Sequence, residues 1–111
     1  MKTIAILAAT AVLSSASPAL AAPVPLNGVV THIETTYFPS FIEFTLSGGD
    51  ATCPPGGALT YQNANIENMK AALAALFSSS LSGHGLYAWY DPTVPSPFGP
   101  GTCSVTFIGL N

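Results

Sequence analysis

Between Gly28 and Thr36 the chain alternates Val29, Thr31 and Ile33 against Val30, His32 and Glu34, a period of two that predicts a β-strand. The run from Ser40 to Leu46 repeats the signal: Ile42, Phe44 and Leu46 mark one face, Glu43 and Thr45 the other. A turn around Pro39 joins the two. Ser47-Gly48-Gly49-Asp50 ends the second strand, and Cys53-Pro54-Pro55-Gly56-Gly57 forms a non-helical loop. A short third strand is expected over Ala58 to Tyr61. The segment before the first strand, Ala22 to Asn27, contains prolines and reads as a lead without secondary structure.

The period then changes. Ile66, Met69, Leu73, Leu76 and Phe77 recur at three-and-four spacing, which predicts a helix over Ile66–Leu81 with those residues on a core. Asn65 or Asn63 caps its start, and Gly83 stops it. Its other side, with Glu67, Asn68, Ala71, Ala75, Ser78 and Ser79, is made mostly of small residues. Two explanations fit: alanine is a good helix former, or Ala71, Ala75 and Ser78 pack closely against another copy of the chain. Gly85 to Tyr90 returns to strand periodicity, with Leu86, Ala88 and Tyr90 opposed to Tyr87 and Trp89. A proline-rich loop from Asp91 to Thr102 leads to a last strand, Cys103 to Leu110.

The order strand, strand, short strand, helix, strand, strand is that of a five-stranded Greek-key barrel of the oligonucleotide/oligosaccharide-binding type. The expected class is mainly β with one central helix, an α+β domain.

The first residues modify this picture. Met1-Lys2-Thr3, an apolar run from Ile4 to Leu13 and the small-residue sequence Ser17-Pro18-Ala19-Leu20-Ala21 have the three parts of a secretory signal, cut after Ala21. A spanning helix needs about 20 apolar residues, and Ser14, Ser15, Ser17 and Pro18 interrupt this stretch. Residues 22–111 then form a single domain in a secreted or periplasmic location. There, Cys53 and Cys103 are expected to be bridged. On the chain-entropy model a loop of this size is worth about 4 kcal/mol.

Past the signal, Lys70 stands alone against Glu34, Glu43, Asp50, Glu67 and Asp91, a formal charge of −4. One cation cannot displace the counterions of a phosphate backbone, so nucleic acid is excluded as a partner. Adsorption to anionic lipid fails for the same reason.

Several segments together resemble a known family: Gly28 to Thr35, Asn65 to Leu73 with the Ser82-Gly83 exit, the aromatic strand Leu86 to Tyr90, and Cys103-Ser104-Val105. They are similar to the secreted, disulfide-bonded bacterial B subunits of subtilase-cytotoxin type. The resemblance implies a pentameric ring with helices lining its centre, sites for cell-surface glycans, and a separate enzymatic A subunit docked on the ring. The face with Ala71, Ala75 and Ser78 would suit such a lining.

Catalytic chemistry is not expected. His84 sits between two glycines in a turn, His32 shares a strand face with Glu34, and no nucleophile elbow or phosphate loop occurs. Neither histidine lies at ligand spacing from a cysteine, so no metal or other cofactor is expected. Sugar binding needs an aromatic face with hydrogen-bonding groups beside it. Tyr87, Trp89, Tyr90 and Asp91 supply both, with Tyr37 and Phe38 as further candidates. Alternation sends Tyr87 and Trp89 to one face and Tyr90 to the other, so one of these sets belongs to the core or packs under the helix. The alternative function, a protein-interaction module such as an inhibitor or partner protein, draws on the rigid proline-rich loop.

Overall fold

A computed structural model describes residues 23–99 and 101–111. The expected signal peptide lies outside them. The chain folds as an α+β domain: β1 (Val24–Gly28), β2 (Val30–Glu34), β3 (Ile42–Leu46), β4 (Leu59–Tyr61), helix α1 (Ile66–Ser82), β5 (Leu86–Tyr90) and β6 (Cys103–Leu110). One mixed sheet takes the order β1-β5-β6-β4-β3-β2. Its neighbours are antiparallel except for β4 and β6, which run parallel. No helix among the described residues is long and apolar enough to cross a membrane.

β1 lies in the segment expected to lack secondary structure. Pro25 sits inside it, opposite Trp89, and a residue without an N–H is tolerated in a strand that pairs on one side only. Val29 alone separates β1 from β2, yet the two strands lie at opposite ends of the ladder, β1 on β5 and β2 on β3. The chain turns where backbones nearly touch: a Cβ added to Gly48 would lie 2.0 Å from the Asn27 carbonyl oxygen. The Ser47 hydroxyl accepts the Val29 N–H at 2.9 Å, and the Ser47 N–H returns to the Val29 carbonyl at 2.9 Å.

Ile42, Phe44 and Leu46 from β3, Leu86, Ala88 and Tyr90 from β5, Leu59, Val105, Leu26 and Val30 form the core, with α1 laid across it through Met69, Ala72 and Leu76. β3 and β5 thus bury the faces their periodicity predicts; in β2 a register shift between Val30 and His32 breaks the alternation, so Val30 is buried and Ile33, expected on the opposite face, is half-buried. Asn65 is the helix cap, its Oδ1 accepting the N–H of Glu67 at 2.8 Å and of Asn68 at 3.4 Å. Gly83 closes the other end.

The buried face of α1 departs from expectation. Ile66 and Phe77 are 41% and 43% exposed, whereas Ala72 and Ser79 are buried. At 3.6 residues per turn the helix is rotated by roughly a fifth of a turn from the face its large apolar residues define. The cause is a polar interaction. Ser79 Oγ accepts the Val30 N–H at 3.1 Å and donates to the His84 carbonyl at 2.8 Å. It thereby satisfies a backbone donor at the start of β2 and an acceptor beyond the helix end.

Cys53 and Cys103 form a disulfide with Cα atoms 6.1 Å apart, joining the loop after β3 to the start of β6. A bridge of this kind points to an oxidising compartment. Asp50 braces the same loop: Oδ1 accepts the N–H groups of Cys53 at 2.7 Å and Thr52 at 3.0 Å, and Oδ2 accepts the Tyr90 hydroxyl at 2.9 Å. These bonds, led by that from Cys53, hold the Asp50 carboxyl below its ordinary value, while burial pushes the Tyr90 phenol up.

Ser79→Ala should destabilise the domain by about 1 to 3 kcal/mol in urea denaturation, the cost of a buried backbone N–H left without a partner. Reduction of the disulfide should lower stability by roughly 4 kcal/mol in the same assay. The depressed Asp50 carboxyl contributes stability that is complete above the ordinary carboxylate value and is lost as pH falls toward its folded value. Unfolding followed from neutral to acidic pH should show that loss, and Asp50→Asn should flatten it.

Candidate functional site

The pairing register of β1, β5 and β6 builds an aromatic platform on the outer face of the sheet. Pro25 lies opposite Trp89, and Trp89 opposite Phe107; alongside, Asn27 lies opposite Tyr87, and Tyr87 opposite Gly109. Each row crosses three strands. All six residues are exposed or half-buried.

Two local features create this surface. The first is a register shift on β6: Tyr90 pairs with Val105 but Trp89 pairs with Phe107, so Thr106 is the extra residue of a bulge. A bulge re-aims the side chain that follows it. Val105 therefore faces the core while Phe107, two residues on, turns outward beside Trp89 at 57% exposure. Thr106 Oγ1 donates to the Trp89 carbonyl at 3.4 Å across the irregularity. The second feature is Gly109, where an added Cβ would lie 2.4 Å from Tyr87 Cζ. The missing side chain lets the Tyr87 ring lie down over β6, 6.4 Å between ring centres from Phe107.

A cavity of about 340 Å³ lined by Pro23, Trp89, Thr106 and Phe107 opens on this platform. Beyond Phe107 and Thr106 a second cavity of about 330 Å³ runs between β6 and α1, with Asn63 and Asn68 on its polar wall and Ala71 and Ala72 at the helix. Asn63 Oδ1 accepts the Asn68 side-chain amide at 3.3 Å and the Asn65 N–H at 2.8 Å, while the Asn63 amide donates to the Tyr61 hydroxyl at 3.4 Å. The groove thus offers aromatic rings on one side and oriented amides on the other.

The sequence candidates separate into three places. Tyr87 and Trp89 belong to the platform. Tyr90 does not: at 4% exposure it is a core residue committed to Asp50, as the opposite phase of the alternation requires. Asp91 lies at the start of the proline-rich loop, where its Oδ1 accepts the Thr93 hydroxyl at 2.6 Å and the Thr93 N–H at 2.9 Å; these bonds hold its carboxyl below the usual range. Tyr37 stacks on Phe41 at 4.8 Å and meets Phe98 edge-on at 5.6 Å, tying the β2–β3 turn to that loop. Phe38 packs half-buried against the core.

Phe107, Pro25 and Asn27 carry no sequence signal for this site, and Asn63 and Asn68 are marked in the sequence only as a cap candidate and a helix-face residue. An exposed phenylalanine on β6 is invisible there, because Val105 and Phe107 share a parity and periodicity puts both on one face. Of the residues proposed to face another copy, Ala71 and Ser78 are exposed and Ala75 is half-buried.

His32, Glu34 and Glu43 form the grouping that could hold a metal ion among the described residues, their ligand atoms within 4.8 Å of one another. Glu34 and Glu43 face each other across β2 and β3, and His32 Nε2 lies 3.9 Å from Glu34 Oε1. The Thr36 hydroxyl and N–H both donate to Glu34, and these bonds hold its carboxyl low. His32 is exposed and the two glutamates are half-buried. The Ser79 hydroxyl donates to the carbonyl of His84, not to its ring.

Gly109→Ala should swing the Tyr87 ring off β6 without unfolding the domain, because the atoms it meets are the far end of one side chain. A changed near-ultraviolet circular dichroism spectrum, with a stability loss of about 1 kcal/mol, is the expected result. No protein-family model, no curated protein and no solved structure matches this chain.

Proposed function

We propose that the protein is a secreted, non-catalytic carbohydrate-binding module that holds its ligand on the platform of β1, β5 and β6. The observation that carries this reading is the cross-strand row Pro25, Trp89, Phe107 with the amides of Asn63 and Asn68 beside it. Flat rings cover the apolar faces of sugars, and amides exchange hydrogen bonds with hydroxyls. The architecture supports the same reading. The sheet is an open ladder of six strands; if β1 and β2 are taken as one strand bent at Val29, that strand pairs with β3 at one end and β5 at the other, an order compatible with a Greek-key barrel of the oligosaccharide-binding type. The parallel pairing of β4 with β6 and the helix between β4 and β5 agree with it.

A ring or other oligomer is the second part of the proposal, on a different face from the one the small residues suggest. Ile66, Phe77 and Leu81 lie along the solvent side of α1, Leu81 at 85% exposure, with the Lys70–Glu67 ion pair beside them. An apolar stripe of this kind is what a neighbouring copy would cover.

Trp89→Ala should leave the fold intact and weaken glycan binding by about 2 kcal/mol, roughly thirtyfold, in a titration with an oligosaccharide selected on an array. Unchanged affinity would rule out the platform. For the oligomer, Phe77→Asp with Leu81→Asp should convert an assembly to monomers by native mass measurement; a parent protein already monomeric at high concentration would remove this part.

A further inference from the structure

We infer that the ligand of this platform is an uncharged oligosaccharide of at least two rings, one on Trp89 and Phe107 and the next against Asn63 and Asn68; the inference rests on the carbohydrate reading above.

The length follows from the cavities. They hold about 340 and 330 Å³ and share Thr106 and Phe107, so they are two compartments of one surface and not two separate sites. Their linings differ in chemistry. The first presents Trp89, Phe107 and Pro23, which suit the C–H face of a pyranose and offer little to its hydroxyls. The second presents Asn63 and Asn68, with Asn68 held by its bond to Asn63. A single ring would satisfy one compartment only. A second ring beyond Phe107 reaches the amides.

The absence of charge on the ligand follows from the donors available. The strong, charge-assisted recognition of a carboxylate or sulfate uses arginine, lysine or free backbone N–H groups at a helix start. No charged residue lines either cavity. The sequence has no arginine, and Lys70 lies 3.6 Å from Glu67 in an ion pair. The start of α1 is the remaining anion-attracting element near the groove, but Asn65 Oδ1 already takes the N–H groups of Glu67 and Asn68, and the Glu67 carboxylate occupies the first turn. An anionic sugar would be desolvated here against a net negative protein with no cation to pair it.

The test is an array of neutral, sialylated and sulfated oligosaccharides, with the monosaccharides of each, probed with parent protein, Asn68→Ala and Trp89→Ala. Expected are binding to neutral oligosaccharides, affinity that changes less than about twofold between low and high salt, and a roughly five- to tenfold loss for Asn68→Ala toward oligosaccharides alone. Preference for sialylated or sulfated ligands, or Asn68→Ala affinities equal to the parent's, would overturn the inference and leave the carbohydrate reading standing. No binding to any glycan would overturn the carbohydrate reading itself.

Discussion

One serine hydroxyl fixes how the helix sits on the sheet. Ser79 Oγ takes the Val30 N–H and gives its own proton to the His84 carbonyl, so a single atom joins the bend between β1 and β2, the last turn of α1 and the approach to β5. Burying a hydroxyl without partners costs a few kcal/mol, and here both partners are backbone groups that would otherwise be orphaned. That polar constraint outranks the hydrophobic pattern. The helix turns Ala72 and Ser79 inward, and Ile66 and Phe77 are left on the solvent side. The exposed apolar stripe is thus a consequence of satisfying two backbone groups.

A second knot lies in the loop after β3. The disulfide, Asp50 and Tyr90 meet where the loop after β3 passes the ends of β5 and β6. Most of the few charges among the described residues have a structural occupation: Asp50 organises a loop, Asp91 a turn, Glu34 is held by Thr36, and Glu67 pairs with Lys70. The platform and its groove are left uncharged, which is what gives that face its chemical character.

Much of the fold was legible in the sequence where one strand face is buried and the other is not. Ile42, Phe44 and Leu46, and likewise Leu86, Ala88 and Tyr90, show their phase directly, and Asn65 and Gly83 mark the helix ends. β1 was hidden because Pro25 breaks the strand signal, although an edge position makes the proline harmless. The helix phase is hidden because polarity alone points Ser79 outward, whereas it is buried. At the site, Tyr87 and Trp89 could be read from alternation. Phe107 could not, because one extra residue at Thr106 inverts the phase of β6, and Asn27 could not, because its neighbourhood depends on the register of strands far apart in the chain.

The place of β6 in the ladder also sets the order in which the sheet can be assembled. It is the last strand in sequence yet lies in the middle of the sheet, pairing parallel with β4 on one side and antiparallel with β5 on the other. Until it is in place, the β2, β3 and β4 side and the β1 and β5 side have no ladder between them, and Cys103 has not met Cys53. Such long-range pairing carries a loop-closure cost before it returns any contact energy. The six strands are one sheet only once β6 has paired with both β4 and β5.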